Sequence, residues 1–251
     1  MNFNILQRAY KAIPLVFYKV YKVLFETGVH PTQWKEGIGI VLAKPNKEDY
    51  TVPKAYRIIA LLNYLGKTLE KIFATRLSHL ANTTANLLHA TQIGGRKQRS
   101  AIDAALLLLN EIQSRKKNSS TVTSTLFLDI RGAFDYVSKP RLLRILEKLG
   151  LPSNLIRWVS SFLSDRKIQL AFDGCIQPSQ VDIDIGIPQG SPISPILFLL
   201  YVRDIVAEGE FQLSYIDDFC IAVTSNSARK NCTQLEAIVQ KLFTLAIEQA
   251  V

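Results

Sequence analysis

The stretch LSYIDDFCIAV, residues 213–223, sets two adjacent aspartates inside an apolar run. Leu213, Tyr215, Phe219, Ile221 and Val223 are the residue types that fill buried strands. Two such runs broken by a polar pair read as a hairpin, and Asp is a common turn residue. Neither Asp217 nor Asp218 is a glycine, however, and two like charges repel at a tip. A bound cation removes that repulsion. The stretch therefore dictates strand, turn, strand, and leaves two readings of its tip: a plain turn or a cation site.

A third carboxylate bears on the choice. In LFLDIRGAFDYV, residues 126–137, Asp129 closes an apolar strand, where an uncompensated charge is costly. It either caps the following turn or coordinates something. It lies 88 residues before Asp217, enough chain for helices to cross over and return a hairpin to its side. Three carboxylates converging from one sheet make a hard-oxygen site suited to Mg²⁺ and substrate phosphates. Between them in sequence lies GIPQGSPISPILF, residues 186–198. Gly186 and Gly190 bracket Pro188 and Gln189, ahead of a run of Ser and Pro. The stretch reads as bare backbone against which a nucleotide or strand can lie, or as an ordinary loop entering a helix with Pro near its start. The second reading accounts for the prolines but not for Gln189.

Composition narrows the setting. The 251 residues are 48% hydrophobic and 20% charged, which excludes a disordered chain and a coiled coil. Cys175, Cys220 and Cys232 show no Cys-x-x-Cys spacing and no neighbouring His, so neither a zinc site nor a disulfide framework is expected. No apolar run approaches the ~18 residues of a membrane span. The basic, amphipathic N-terminus is the pattern of a packed helix or of a mitochondrial presequence. Charge is uneven. Residues 1–128 carry 18 Lys and Arg against 7 Asp and Glu, a net +11, whereas the remainder carries −2. A basic half suggests a polyanionic partner, and clustered Asp in the other half suggests a cation.

Periodicity predicts a helix over 5–27, a strand over 37–45, a polar loop over 44–57, and helices over 64–80 and 100–117. A flexible break is expected at 118–124. A buried strand at 125–130 follows, then helices at about 139–149 and 153–163. A hairpin of 167–172 with 180–185, an apolar helix at 191–205, the Asp-Asp hairpin at about 211–224 and a last helix from near Arg229 complete the chain. Hairpins mixed with helices predict an α+β fold with helices on one face of an antiparallel sheet.

FLDIRGAFDYV, GIPQGSPISPILF and YIDDF stand in the order and rough spacing of three core motifs of reverse transcriptases, and resemble most the LINE-type, non-LTR retrotransposon enzymes. WKEGIGIVLAKPNKEDY (34–50), AYRIIALLNYLGKTLEKIFATRL (55–77) and TQIGGRKQRSAIDAALLL (91–108) are similar to the finger motifs of that family. SFLSDRKIQLAFDG (161–174) resembles the segment between its first two palm motifs. The resemblance runs from about residue 30 to 224. It implies a fingers-and-palm fold, with an N-terminal helical extension at 1–33, fingers at 34–124 and an antiparallel palm sheet backed by helices at 125–251.

The resemblance also implies roles. Asp129, Asp217 and Asp218, with the backbone carbonyl of Ile130, would bind two Mg²⁺ for nucleotidyl transfer from a dNTP to a primer 3′-hydroxyl on an RNA template. Phe134 would occupy the space of a ribose 2′-hydroxyl and so select dNTPs, whereas Phe127 reads as a core aromatic. Gln189 and Gly190 would contact template and nucleotide. Arg57, with Lys44 or Lys47, would hold the triphosphate, and Arg96, Lys97 and Arg99 would face template phosphates. Ile58 departs from the family's usual Pro, which puts the loop after Arg57 in doubt, and Ile216 is bulkier than the common Ala. The chain closes in the helix after the Asp-Asp hairpin, so a thumb and the next palm motif are expected to be absent. Two alternatives follow: an inactive remnant that keeps the fold and binds nucleic acid, and a group II intron maturase-like protein. The expected location is nuclear or cytoplasmic, or mitochondrial on the maturase reading.

Overall fold

The computed structural model describes residues 3–116, 121–205 and 211–248. In chain order the elements are helices α1 (Phe3–Ala12) and α2 (Pro14–Thr27), strands β1 (Glu36–Ala43) and β2 (Tyr56–Leu61), helices α3 (Tyr64–Thr83) and α4 (Ala101–Arg115), and strand β3 (Val122–Asp129). Then come α5 (Lys139–Lys148), α6 (Ser153–Leu163), β4 (Arg166–Phe172), β5 (Cys175–Ile183), α7 (Ser194–Tyr201), β6 (Gln212–Tyr215), β7 (Asp218–Ser225) and α8 (Ala228–Glu248). The chain folds into two compact units, Met1–Arg76 with Phe134–Ser194, and Leu77–Ala133 with Pro195–Val251. Each unit is closed by a sheet whose strands come from distant parts of the chain.

The first unit holds a four-stranded sheet in the order β2-β1-β4-β5, antiparallel except for the parallel pair β1 and β4. Its strands follow the sequence signals only in part. The expected loop over 44–57 ends early, because Tyr56 and Arg57 already pair with Ala43 and Leu42. Ile58 continues that ladder opposite Val41, so no loop follows Arg57. The β4–β5 hairpin turns through Asp173 (φ 50) and Gly174 (φ 78), the Asp-Gly pair that a two-residue loop favours.

The expected helix over 5–27 is broken in two. Pro14 has no N–H to continue the ladder, and α2 restarts with it in the first turn. Gly28 caps α2 at φ 69, donating to the Leu24 carbonyl 3.1 Å away. A Cβ there would stand 2.6 Å from the Asn154 carbonyl oxygen, so only Gly fits. The core behind is aromatic. Phe73 stacks on Trp158 at 4.1 Å, Trp158 on Phe162 at 5.0 Å, and Phe25 on Phe73 at 4.7 Å. Trp158, Phe73 and Phe162 are fully buried, and truncating any of them to Ala costs ~3–5 kcal/mol. His30 lies edge-on to Trp158 and Phe162, and burial first, then Arg166, pushes its pKa down to about 3.

The second unit holds a three-stranded antiparallel sheet, β3-β7-β6. β3 starts at Val122, so three residues of the expected flexible break are strand, and 117–120 lie outside the described residues. Alternation along β7 sends Cys220 to one face, where it packs with Leu213, Ile93 and Ala104 of α4. The opposite face meets α8, where buried Asn231 donates through Nδ2 to the Val122 carbonyl (2.8 Å) and to Ser124 Oγ (3.0 Å). Helices thus lie on both faces rather than on one. Phe127, expected in the core, is 69% exposed. It shares a face with Asp129 two residues on, at the end of β3. The expected apolar helix over 191–205 is confined to Ser194–Tyr201.

Candidate active site

Asp129 is the last residue of β3, and Asp218 is the first of β7; the two are paired directly across the ladder. The sheet therefore sets two carboxylates on one face, side by side, as the strand and hairpin signals required. Like charges opposed in this way destabilise a sheet by ~0.2–1 kcal/mol. Asp217 sits in the loop between β6 and β7, and its carbonyl accepts from the Ile130 N–H at 3.2 Å. Ile130 is thereby tied to the tip. Burial pushes the Asp217 pKa up, and Asp218 and Asp129 push it further. Both neighbours thus act electrostatically on Asp217, and the cluster gathers like charge at one end of the sheet. Among the described residues no three His, Cys, Asp or Glu side chains close into a ready-made ion cage. The donor chemistry nevertheless fits a hard divalent cation, which is what lowers the energy of clustered carboxylates.

The tip itself is built against local preference. With Tyr215 paired to Asp218, the two-residue loop is Ile216-Asp217 and not the Asp-Asp pair. Ile216 carries φ 63, at a position where Gly is the ordinary occupant. A β-branched residue held there costs on the order of 1–3 kcal/mol and persists only where its surroundings enforce it. The Asp173-Gly174 hairpin shows what an unconstrained two-residue turn of this chain uses instead.

The basic loop before α4 divides in function. Arg96 is committed to the protein: Nε and Nη2 donate to Asn82 Oδ1 at 3.1 and 2.9 Å, and Nη1 donates to the His89 and Gln92 carbonyls at 3.3 Å each. The donors expected to face phosphates thus meet protein acceptors in this structure. Arg99 gives one N–H to the Ala90 carbonyl at 3.0 Å and is otherwise exposed, as is Lys97.

In the first unit, GIPQGS docks on the outer edge of β2. The Ala60 N–H donates to the Gln189 carbonyl at 2.7 Å, and the Gln189 side chain donates to Asp135 Oδ1 at 2.9 Å. The loop's glycines face the protein's own backbone. A Cβ at Gly190 (φ 114) would stand 2.7 Å from the Ala60 oxygen, and one at Gly186 (φ 86) 2.6 Å from the Asp135 oxygen. The bare backbone thus serves first to seat the loop. Phe134, half-buried, accepts through its carbonyl from the Ile187 N–H at 2.9 Å, so the same loop fixes the Phe134 backbone. Arg57 is exposed on β2, and Lys44 Nζ donates to the Lys54 carbonyl at 3.2 Å.

Two residues here escaped the sequence reading. Glu70 of α3 is fully buried, and its Oε2 accepts from Ser191 Oγ at 2.5 Å. Burial raises its pKa against the opposing pull of the Ser191 hydrogen bond, Arg166 and Lys67. Arg166, also buried, is pushed down to about 10 by desolvation. The only available signal was a Glu on the flank of an apolar helical stripe.

Comparison with known proteins agrees with this geometry. A family model described as reverse transcriptase (RNA-dependent DNA polymerase) matches residues 43–250. A protein named as the probable RNA-directed DNA polymerase from transposon BS of Drosophila melanogaster is 26% identical over 97% of this chain and 27% of its own length. The RNA-directed DNA polymerase from mobile element jockey of Drosophila funebris is 29% identical, over 82% of this chain and 23% of its own. The Pol polyprotein from the type-1 retrotransposable element R2 of Popillia japonica is 30% identical, over 67% and 22% respectively. The chain spans about a quarter of the length of these relatives. Among solved structures, apo telomerase from Candida tropicalis superposes with a TM-score of 0.57, covering 91% of this chain and 45% of its own at 12% identity, which speaks for the fold alone. Motif order, paired carboxylates, fold and family match converge, and the chain belongs to the reverse transcriptase family, among relatives from non-LTR retrotransposons.

Proposed function

We propose that this chain carries the polymerising site of a non-LTR retrotransposon reverse transcriptase, extending a DNA primer on an RNA template with dNTPs. The observation that carries the reading is Asp129 paired across the ladder with Asp218, beside Asp217 on an enforced turn. Asp129, Asp217 and Asp218, with the Ile130 carbonyl, would hold two Mg²⁺, which when bound polarise the primer 3′-hydroxyl and neutralise the triphosphate. The residues of the chain do the positioning. β3 and β7 fix two carboxylates in register, and the tip sets the third. Phe134 excludes a 2′-hydroxyl by bulk and by leaving it without a partner. Gln189 and Gly190, seated on β2, meet nucleotide and template. Arg57, with its planar fork, holds the triphosphate, and Lys44 supplements it. Lys97 and Arg99 face template phosphates.

Primer extension by the 251-residue chain on an RNA template tests the reading. Incorporation that needs a divalent cation and prefers dNTPs to rNTPs supports it. Absence of incorporation on a bound primer–template rejects it.

A further inference from the structure

The enforced turn at Ile216 raises the question of what enforces it. Its outer side is occupied by the loop that precedes α4. Gln92 forms a parallel bridge with Ser214 of β6. The Ser214 N–H donates to the Thr91 carbonyl at 3.1 Å, and the Ser214 carbonyl accepts from the Ile93 N–H at 2.9 Å. The segment 91–94 thus covers the edge of β6 and leads its backbone to the tip. At Gly94 the approach is extreme. A Cβ there would lie 2.5 Å from the Ile216 nitrogen and 2.7 and 2.8 Å from the Tyr215 carbonyl carbon and Cα. All three are backbone atoms, which cannot step aside as a flexible side chain can. Gly94 has no positive φ, so the glycine answers to space and not to conformation.

The loop is itself held stiffly. Gln92 is fully buried; its Nε2 donates to the Leu199 carbonyl of α7 at 2.9 Å, and its Oε1 accepts from the His89 N–H at 2.9 Å. Arg96 draws together Asn82 and the His89 and Gln92 carbonyls. We infer that Gly94 and Gln92 are positioning residues for the carboxylates: Gly94 is the surface against which Tyr215 and Ile216 are pressed, and Gln92 and Arg96 keep that surface fixed. They touch neither metal nor substrate. They act by setting where Asp217 and Asp218 stand. The functional part of this inference rests on the polymerase reading.

The test compares two adjacent glycines. Gly95 has φ 71, so Ala there strains the loop, yet its Cβ would meet the Leu199 side chain at 3.3 Å and the Ile216 side chain at an ordinary contact of 3.9 Å, and no backbone of the tip. Gly94→Ala presses on the backbone of the tip; Gly95→Ala loads the same loop and reaches the tip only at van der Waals contact with the Ile216 side chain. Displacing a reacting group by ~1 Å lowers a rate by ~10²-fold. Single-nucleotide incorporation by Gly94→Ala is therefore expected to lose about that factor in kcat, with the KM for dNTP within a few-fold of wild type. Gly95→Ala is expected to keep kcat per folded molecule within about threefold. In parallel, the amide resonances of Ile216, Asp217 and Asp218 shift in Gly94→Ala and hold in Gly95→Ala. Equal loss in the two variants, or unmoved tip resonances in Gly94→Ala, overturns the inference. If Gly94→Ala does not fold, Gln92→Asn, which shortens the arm to Leu199 without adding volume, carries the same comparison. If the wild-type chain extends no primer, the polymerase reading has failed, and the resonances alone decide whether Gly94 sets the tip.

Discussion

Asp217→Asn removes one of three clustered charges and almost no volume. Asp129 opposes Asp218 across the ladder, and both raise the Asp217 pKa after burial has done so. A carboxyl whose folded pKa lies above its unfolded value near 3.8 adds its stability at low pH and loses it as pH rises through the folded value. At pH 7 the Asp217 charge is thus a net cost. Asp129 and Asp218 are exposed and solvent screens them, so the cost stays within the ~0.2–1 kcal/mol of opposed like charges. The variant is expected to melt ~1–3 °C higher than wild type in EDTA at low salt, with the gap narrowing at high salt. Mg²⁺ inverts the order. At 100 times its Kd a cation adds ~2.7 kcal/mol to the chain that binds it, and Asp217→Asn gains little. Differential scanning calorimetry with and without Mg²⁺ reads both effects. A variant that melts below wild type in EDTA, or gains as much from Mg²⁺, refutes the reasoning.

Ser191→Ala takes the donor from Glu70, whose Oε1 already has no partner. Denaturant titration is expected to show a loss of ~1–3 kcal/mol at pH 8 and a smaller one at pH 5, since a buried carboxyl with a raised pKa is better tolerated protonated. Gly190→Ala combines a forbidden φ with a 2.7 Å clash on the Ala60 oxygen, and should cost ~2–4 kcal/mol. Gly174→Ala, with φ 78 and nothing within 4 Å, should cost only ~1–2 kcal/mol.

The carboxylate pair was legible because both of its signals are local: an Asp at the end of an apolar strand and an Asp pair between two apolar runs. Alternation then needed only the register that put Asp129 opposite Asp218. Hairpins and amphipathic helices were legible for the same reason, and the break at Pro14 followed from a missing N–H that periodicity does not weigh. What escaped is non-local. The parallel pairing of β1 with β4, the docking of Gln189 on the edge of β2 and the seat of Glu70 beneath Ser191 each join residues more than a hundred positions apart. The protein partners of Arg96 were not legible either, because a guanidinium in a basic loop looks alike in sequence whether it meets phosphates or carbonyls. The turn misled at Ile216, because composition places the polar pair at the tip, whereas the register places Ile216-Asp217 there.

The central claim is that Asp129, Asp217 and Asp218 form a metal-dependent polymerising site. Single-nucleotide incorporation on an RNA template, with Mg²⁺ and dNTP, by wild type beside Asp218→Asn at equal primer–template occupancy tests it most directly. Incorporation by wild type and its loss by at least ~10³-fold in the variant is the result expected. Equal rates in the two, or no incorporation by a wild-type chain that holds its primer–template, would contradict it.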